Sequence, residues 1–311
     1  MNELRIVSFL PAATEMAHAL GLGGQVVGVT HECDFPAEAR STPVVVRPAL
    51  ALGKMSLREI DAAVSQRLHD GQSLYQVDEN LLRRLQPNLI LTQNLCQVCA
   101  PSGNELAVVL SLLQPKPEVV WMSPHSLQEI NQNLRALGQA TGRATEAEAL
   151  IATADARLEN IAARTRSQSL RPRVFCMEWA DPVYCAGHWV PEMVELAGGF
   201  DALARKRSES TRIAWENVLN WAPEVLIFSP CGFHLAQALE QIAHLESQPG
   251  WAELPAVRNG RVYAVDADSY FARPGPRVVE GTELLAHLIH PDLFPWHGPA
   301  DAFRIVLNGR I

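Results

Sequence analysis

Cys96 and Cys99 form a Cys-x-x-Cys pair inside the stretch NLILTQNLCQVCAPS, residues 88–102. Two thiols at this spacing can chelate one soft metal ion or cycle between dithiol and disulfide. A closed zinc site needs four ligands. His31 and Cys33, in the string His31-Glu32-Cys33-Asp34, could complete one, and Cys231 is a further thiol for an iron–sulfur cluster. The plain alternative is that these are packed apolar cysteines, since free Cys is among the most buried residue types. Glu32 and Asp34 rank lower, because carboxylates in such strings are more often solvated.

The second half of the chain has its own set. Glu178-Trp179 and Gly187-His188-Trp189 place indoles beside a carboxylate and an imidazole. A loop Trp next to a His can stack on a flat ligand while the imidazole donates, accepts or ligates, or it can simply cover the core. Cys231-Gly232-Phe233-His234 follows another apolar run, and its glycine permits close backbone approach. In DADSYFARPGPR, residues 266–277, Tyr270 and Arg273 are the side chains expected at a binding site, the guanidinium as a clamp for carboxylate or phosphate. Cys176 reads as core, Cys185 stays undecided, and Trp215, Trp221, Trp251 and Trp296 read as structural.

The elements that must position these residues alternate between β and α. Apolar runs at 5–9, 25–30, 44–46, 89–92 and 118–122 have the length and character of buried parallel strands. Between them lie helices: one ending at Leu20 with Gly21 as its stop, one capped at Ser56 with Glu59, one over Glu79 to Leu85 capped by Asp78, and one over Leu106 to Leu113 opened by Ser102 and Glu105. Gly21-Leu22-Gly23-Gly24 closes a helix and opens none, so it is no dinucleotide fingerprint. A helical tract from Leu127 to about Arg166 follows, with capping boxes at Ser126 and Thr145 and a break at Gly142. Its second part, near Glu146 to Arg164, is expected to be a stiff connector.

The chain then repeats itself. Pro191-Glu192-Met193-Val194-Glu195-Leu196-Ala197-Gly198-Gly199 echoes the segment from Phe9 through Glu15-Met16 to Gly24. Glu79-Asn80-Leu81-Leu82 to Pro87-Asn88-Leu89-Ile90 is echoed by Glu216-Asn217-Val218-Leu219 to Pro223-Glu224-Val225-Leu226-Ile227. Both echoes end in a cysteine-bearing loop after a strand. The expectation is an α/β protein of two similar lobes with parallel sheets, 1–124 and 169–311, joined by a helical segment, 125–168, with a ligand cleft between the lobes.

The totals exclude several classes. At 311 residues the chain exceeds a single core of about 150 residues. A net charge of -8 without a basic cluster argues against nucleic acid and anionic membranes, and no apolar run approaches the ~18 residues of a spanning helix. The N-terminus runs directly into a strand with no signal peptide, so a cytoplasmic protein is expected, or a periplasmic one if the numbering is that of a processed chain. No GxxxxGK, GxSxG or HExxH motif is present, and no enzyme is expected.

SFLPAATE, VGVTHECDFP, ENLLRRLQPNLILTQ, the long helix, PEMVELAGG and PGWAELPAVRNGRVYAVD resemble, over nearly the whole chain, the helical-backbone periplasmic binding proteins of ABC importers for iron-siderophores, haem and vitamin B12. The cobalamin-binding branch is the nearest match. The resemblance implies two lobes on one rigid helix and ligand contacts from Pro11, His31 to Asp34, Cys96 to Ser102, His188-Trp189, Cys231 to Phe233 and Tyr270 to Arg273. It also implies a monomer that docks on membrane subunits through one glutamate per lobe: Glu216 in the second, and in the first a position held by Asn80 with Glu79 adjacent. The absent signal peptide and the thiols around the ligand depart from that pattern. Three readings follow, in order: a binding protein for a corrinoid or related metal chelate, a cytosolic zinc or iron–sulfur protein, and a dithiol redox protein.

Overall fold

A computed structural model describes residues 3–51, 53, 55–94, 109–111 and 113–306. The chain divides into two compact units: Met1–Pro124 with Gln128–Ala152, and His125–Leu127 with Thr153–Ile311.

Unit 1 is built on strands β1 (Ile6–Ser8), β2 (Val26–Thr30), β3 (Val44–Pro48), β4 (Tyr75–Val77), β5 (Leu89–Thr92) and β6 (Glu118–Trp121), in the spatial order β4-β3-β2-β1-β5-β6. All neighbours are parallel except β3 and β4. The central strands are uninterrupted apolar runs because helices cover both faces of such a sheet. Helices α1 (Pro11–Ala19) and α3 (Glu79–Leu85) pack against these strands, and the largely exposed α2 (Leu57–His69) lies between β3 and β4 in the chain. Val7, Phe9, Val45, Val46, Leu82 and Ile90 meet in the core of the unit. The caps at Ser56 and Asp78 form as the sequence implies. Of the helix expected over Leu106 to Leu113, the described residues 109–111 are helical.

Helix α4 (Leu127–Thr141) ends at Gly142, whose φ of 70° only glycine adopts cheaply, and α5 (Ala144–Arg166) follows at once. The capping box expected at Thr145 is not what starts α5. The helix begins one residue earlier, with Arg143 bonded to Glu146 (2.9 Å) and with buried Ala147 packed against Gly138. Packing set the boundary, not the Thr-x-x-Glu pattern.

Unit 2 holds β7 (Val174–Ala180), β8 (Val183–Cys185), β9 (Thr211–Arg212), β10 (Val225–Phe228), β11 (Val262–Val265) and β12 (Phe303–Ile305), in the order β12-β11-β10-β7-β8-β9. β11, β10 and β7 pair in parallel, while β12 joins β11, β8 joins β7 and β9 joins β8 antiparallel. Its helices are α6 (Val190–Leu196), α7 (Trp215–Trp221), α8 (Leu235–Glu240), α9 (Ile242–Glu246), α10 (Pro255–Arg258), α11 (Ala267–Tyr270) and α12 (Val278–Ile289). The last turns of α5 are pinned here: Arg157 bridges Glu283 (2.7 Å) and Glu280 (3.3 Å) on α12, and the Arg164 guanidinium lies 4.2 Å from the Phe294 ring centroid. Trp215 stacks on Trp251, and Trp221 donates to the Val174 carbonyl, so these indoles are structural.

The internal repeat extends to individual hydrogen bonds. Helix α3 ends on Gln86 and α7 on Ala222, both left-handed, both followed by proline. Arg5 Nε donates to the Leu85 carbonyl (2.7 Å), and Arg173 Nε donates to the Ala222 carbonyl (3.0 Å). The side chains of Asn88 and Glu224 accept from the backbone N–H of Arg5 and Arg173, at 2.8 and 2.9 Å. Each unit thus locks its first strand to the helix–proline–strand segment in the same way. No helix among the described residues is long and apolar enough to cross a membrane.

Candidate functional site

In a parallel sheet, the loops at the carboxyl ends of the strands form the natural ligand-binding edge. In unit 1 that edge carries Pro11 after β1, His31 to Asp34 after β2, and Gln93 after β5. Pro11 is buried as the first residue of α1, where its missing N–H costs no hydrogen bond. Cys33 is 5% exposed, with its Sγ 3.1 Å from Thr14 Oγ1 and 3.3 Å from Thr30 Oγ1. It is a packed, hydrogen-bonded thiol. His31 is more open, and its Nε2 lies 3.7 Å from a Glu32 carboxylate oxygen. Burial, opposed by a backbone hydrogen bond, pushes the His31 pKa below its ordinary value. Cys96, Cys99 and Ser102 lie outside the described residues. Among the described residues, no three His, Cys, Asp or Glu side chains gather to hold a metal ion.

In unit 2, parallel pairing sets Phe228, the last residue of β10, beside Met177 of β7 and Ala264 of β11. β7 runs through Glu178 and Trp179 to Ala180 and turns back as β8, and the Glu178 carboxylate is satisfied by groups beyond β8. Glu178 accepts from the Ser210 hydroxyl and from the Gly187 N–H (3.3 Å), while its carbonyl accepts from the Cys231 N–H (3.2 Å). Trp179 meets Phe233 edge to face, centroids 5.4 Å apart, and both keep part of their surface open. Cys231 is exposed, whereas Cys176 and Cys185 are buried in β7 and β8. Burial raises the Cys176 thiol far above its ordinary value, so it is inert.

Three expected contacts belong to the interior instead. Trp189 is 4% exposed and spends its indole N–H on the Phe271 carbonyl (2.8 Å), so it offers no free face for stacking. Tyr270 is 7% exposed and packs edge-on against Trp296. Arg273, 8% exposed, is paired with Asp268 at 3.1 Å and is not a free clamp. His188 adopts a φ of 52° and donates its backbone N–H to Ser208 (2.6 Å). Its Nε2 is buried without a hydrogen-bond partner, and its ring sits 5.8 Å from that of His125. Burial and then the His125 charge push its pKa down, which keeps the imidazole neutral.

His234, Asp266 and Asp268 stand unmarked in the sequence, inside Cys231-Gly232-Phe233-His234 and DADSYFARPGPR. His234 Nδ1 lies 3.0 and 3.2 Å from the two Asp266 carboxylate oxygens, and its Nε2 lies 3.9 Å from Asp268 Oδ2. Asp266 also accepts from the N–H and hydroxyl of Ser269, both at 2.9 Å, as the cap of α11. Burial alone would raise the Asp266 pKa, but these hydrogen bonds and the His234 charge hold it below the usual carboxylate value. The Asp-x-x-Ser spacing was the available signal. Nothing local pointed to His234.

An aromatic pair flanked by carboxylates, an imidazole and a thiol, at the carboxyl edge of an α/β sheet, has the chemistry to hold a small molecule. The sequence model of the family described as periplasmic binding protein matches residues 6–269, and the chain belongs to that family. It is 27% identical over 297 residues to an uncharacterised ABC transporter substrate-binding lipoprotein of Bacillus subtilis, covering 93% of this chain and 81% of that protein. It is 26% identical over 283 residues to the vitamin B12-binding protein of Vibrio cholerae, covering 90% and 86%. In fold it matches a periplasmic haem-binding protein of Pseudomonas aeruginosa with a TM-score of 0.72 at 21% identity, covering 98% and 99%.

Proposed function

We propose that this chain is the substrate-binding component of an ABC-type importer and that its ligand is a corrinoid or a related metal chelate. Family membership supports the first part, and the relative described as binding vitamin B12 supports the second. The carrying observation is the edge of unit 2, where Trp179 and Phe233 present part of their rings beside Glu178, Cys231 and His234. Partly open aromatic rings suit a flat, largely apolar macrocycle, and the polar groups beside them suit its amide rim and metal. His31, Glu32 and the Cys96 to Ser102 loop remain proposed contacts from unit 1. His188 supports the unit 2 site by fixing the loop before α6.

Glu79 and Glu216 are exposed in the first turns of α3 and α7; the repeat sets Asn80 opposite Glu216, with Glu79 adjacent, and the two glutamates are proposed as the points that meet the membrane subunits. Of the two expected locations, the periplasmic one is favoured by the relatives, which are described as periplasmic or as a lipoprotein; none of them favours the cytoplasm. Equilibrium titration with cobalamin, cobinamide, haem and zinc tests the reading. Saturable one-to-one binding of a corrinoid is expected. Binding of zinc alone would refute it.

A further inference from the structure

Ser229 carries a hydroxyl that the fold leaves unanswered at the binding edge of unit 2. It follows Phe228, the last residue of β10, and is 2% exposed. Its N–H donates to the Met177 carbonyl (2.9 Å), which continues the parallel ladder and sets it level with Glu178 of β7. Its Oγ is buried and makes no hydrogen bond among the described residues. Buried polar groups are as a rule paired, and one left alone is a standing cost to the fold. At a ligand-binding edge, that cost points to a guest that brings the partner.

Glu178 says what kind of partner. Its carboxylate accepts from the Ser210 hydroxyl and from the Gly187 N–H (3.3 Å). An ionised carboxylate can only accept, whereas a hydroxyl can also donate. Side by side they complement a primary amide, which offers a carbonyl to the hydroxyl and N–H groups to the carboxylate. A guest carboxylate would satisfy Ser229 and be repelled by Glu178. The rest of the edge has the same sign. Residues 230–234 are stitched to both neighbours, by the Cys231 N–H on the Glu178 carbonyl (3.2 Å) and the Asp268 N–H on the Phe233 carbonyl (3.2 Å). Asp266 and Asp268 therefore share one edge with Glu178, and Arg273 nearby is buried and engaged by Asp268 (3.1 Å).

We propose that Ser229 and Glu178 read the primary amides on the rim of the bound chelate, so that the chain takes amide-rimmed chelates and turns away those rimmed with carboxylates. This rests on the metal-chelate reading above and narrows it: the amides of a corrinoid qualify, and the propionates of haem do not.

Cobinamide and cobyrinic acid are the probes. They share one corrin ring and one cobalt, with amides on the rim of the first and carboxyl groups on that of the second. Calorimetric titration of the wild type is expected to show cobinamide bound about 100-fold more tightly or better. The ratio should shrink between about 0.05 and 0.5 M salt, as like-charge repulsion is screened. Ser229→Ala is expected to weaken cobinamide by about 3- to 10-fold. The ligand-free Ser229→Ala protein should melt no lower than the wild type, because its hydroxyl has no partner to lose there. Glu178→Gln keeps an oxygen for Ser210 and Gly187 and is expected to narrow the ratio by about 10-fold. Failure of the wild type to bind either corrinoid overturns both this inference and the reading beneath it. Equal affinity for the two probes, a ratio indifferent to salt, or unchanged cobinamide affinity in Ser229→Ala overturns the inference alone.

Discussion

Asp201 should make the stability of this protein fall as pH rises through the mildly acidic range. Its Oδ2 accepts from the Cys176 N–H in β7 (3.0 Å), and its Oδ1 accepts from the N–H groups of Leu203 (3.0 Å) and Ala204 (3.2 Å). Burial outweighs those three bonds and raises its pKa from 3.8 to about 6. A carboxyl whose folded pKa lies above its unfolded one binds more protons when folded. Its contribution is therefore fully present below about pH 4 and is lost as pH rises to about 6. At ~1.4 kcal/mol per pH unit that displacement corresponds to about 3 kcal/mol, and the residual solvent exposure of Asp201 reduces the expected effect to about 1–3 kcal/mol. His18, His31, His188 and His290 are shifted down by burial and oppose this slope, so the comparison must be with a variant. Asp201→Asn loses the bond from Cys176 at every pH, a constant cost of about 1–3 kcal/mol that cancels in the difference. Urea unfolding at about pH 4 and about pH 7 gives the four free energies needed. The wild type should lose about 1–3 kcal/mol more than Asp201→Asn between them. Parallel pH profiles, within about 0.5 kcal/mol, would refute the reasoning.

Three further outcomes follow from the geometry. A Cβ on Gly187 would sit 2.5 Å from both the Ser208 carbonyl and the Ser210 N–H, so Gly187→Ala should cost more than ~2 kcal/mol in denaturant unfolding and loosen the Glu178 hydrogen bonds. Ala222 holds a φ of 48° at the end of α7, so Ala222→Gly should raise stability by about 0.5–1 kcal/mol, after the extra unfolded-state entropy of glycine, seen as a higher melting temperature. Glu216→Lys should leave corrinoid affinity unchanged, because the residue is exposed at the start of α7, while abolishing ligand-dependent uptake by the assembled importer.

The architecture was largely legible because its causes are local or periodic. Strands such as Val225–Phe228 are uninterrupted apolar runs, caps such as Ser56 with Glu59 lie three residues apart, and the repeated helix–proline–strand segment is visible in the residue types themselves. The short antiparallel edges β4, β9 and β12 escaped because strands of two or three residues with exposed positions carry too little pattern. The site was legible as a set of loops, not as a set of side chains. Which way Trp189 points depends on the positive φ of His188 before it and on the Phe271 carbonyl 82 residues away. Arg273 was readable as a cation, but its partner Asp268 is placed by the turn of α11. His234 meets Asp266 only when β10 and β11 pair and bring the two together.

The most direct test is a crystal of the protein grown with aquocobinamide and measured at the cobalt absorption edge. The account predicts one anomalous peak at the carboxyl edge of β7, β10 and β11, with the macrocycle against Trp179 and Phe233. A cobalt peak away from that edge, or a saturated solution that yields no bound cobalt, would contradict it.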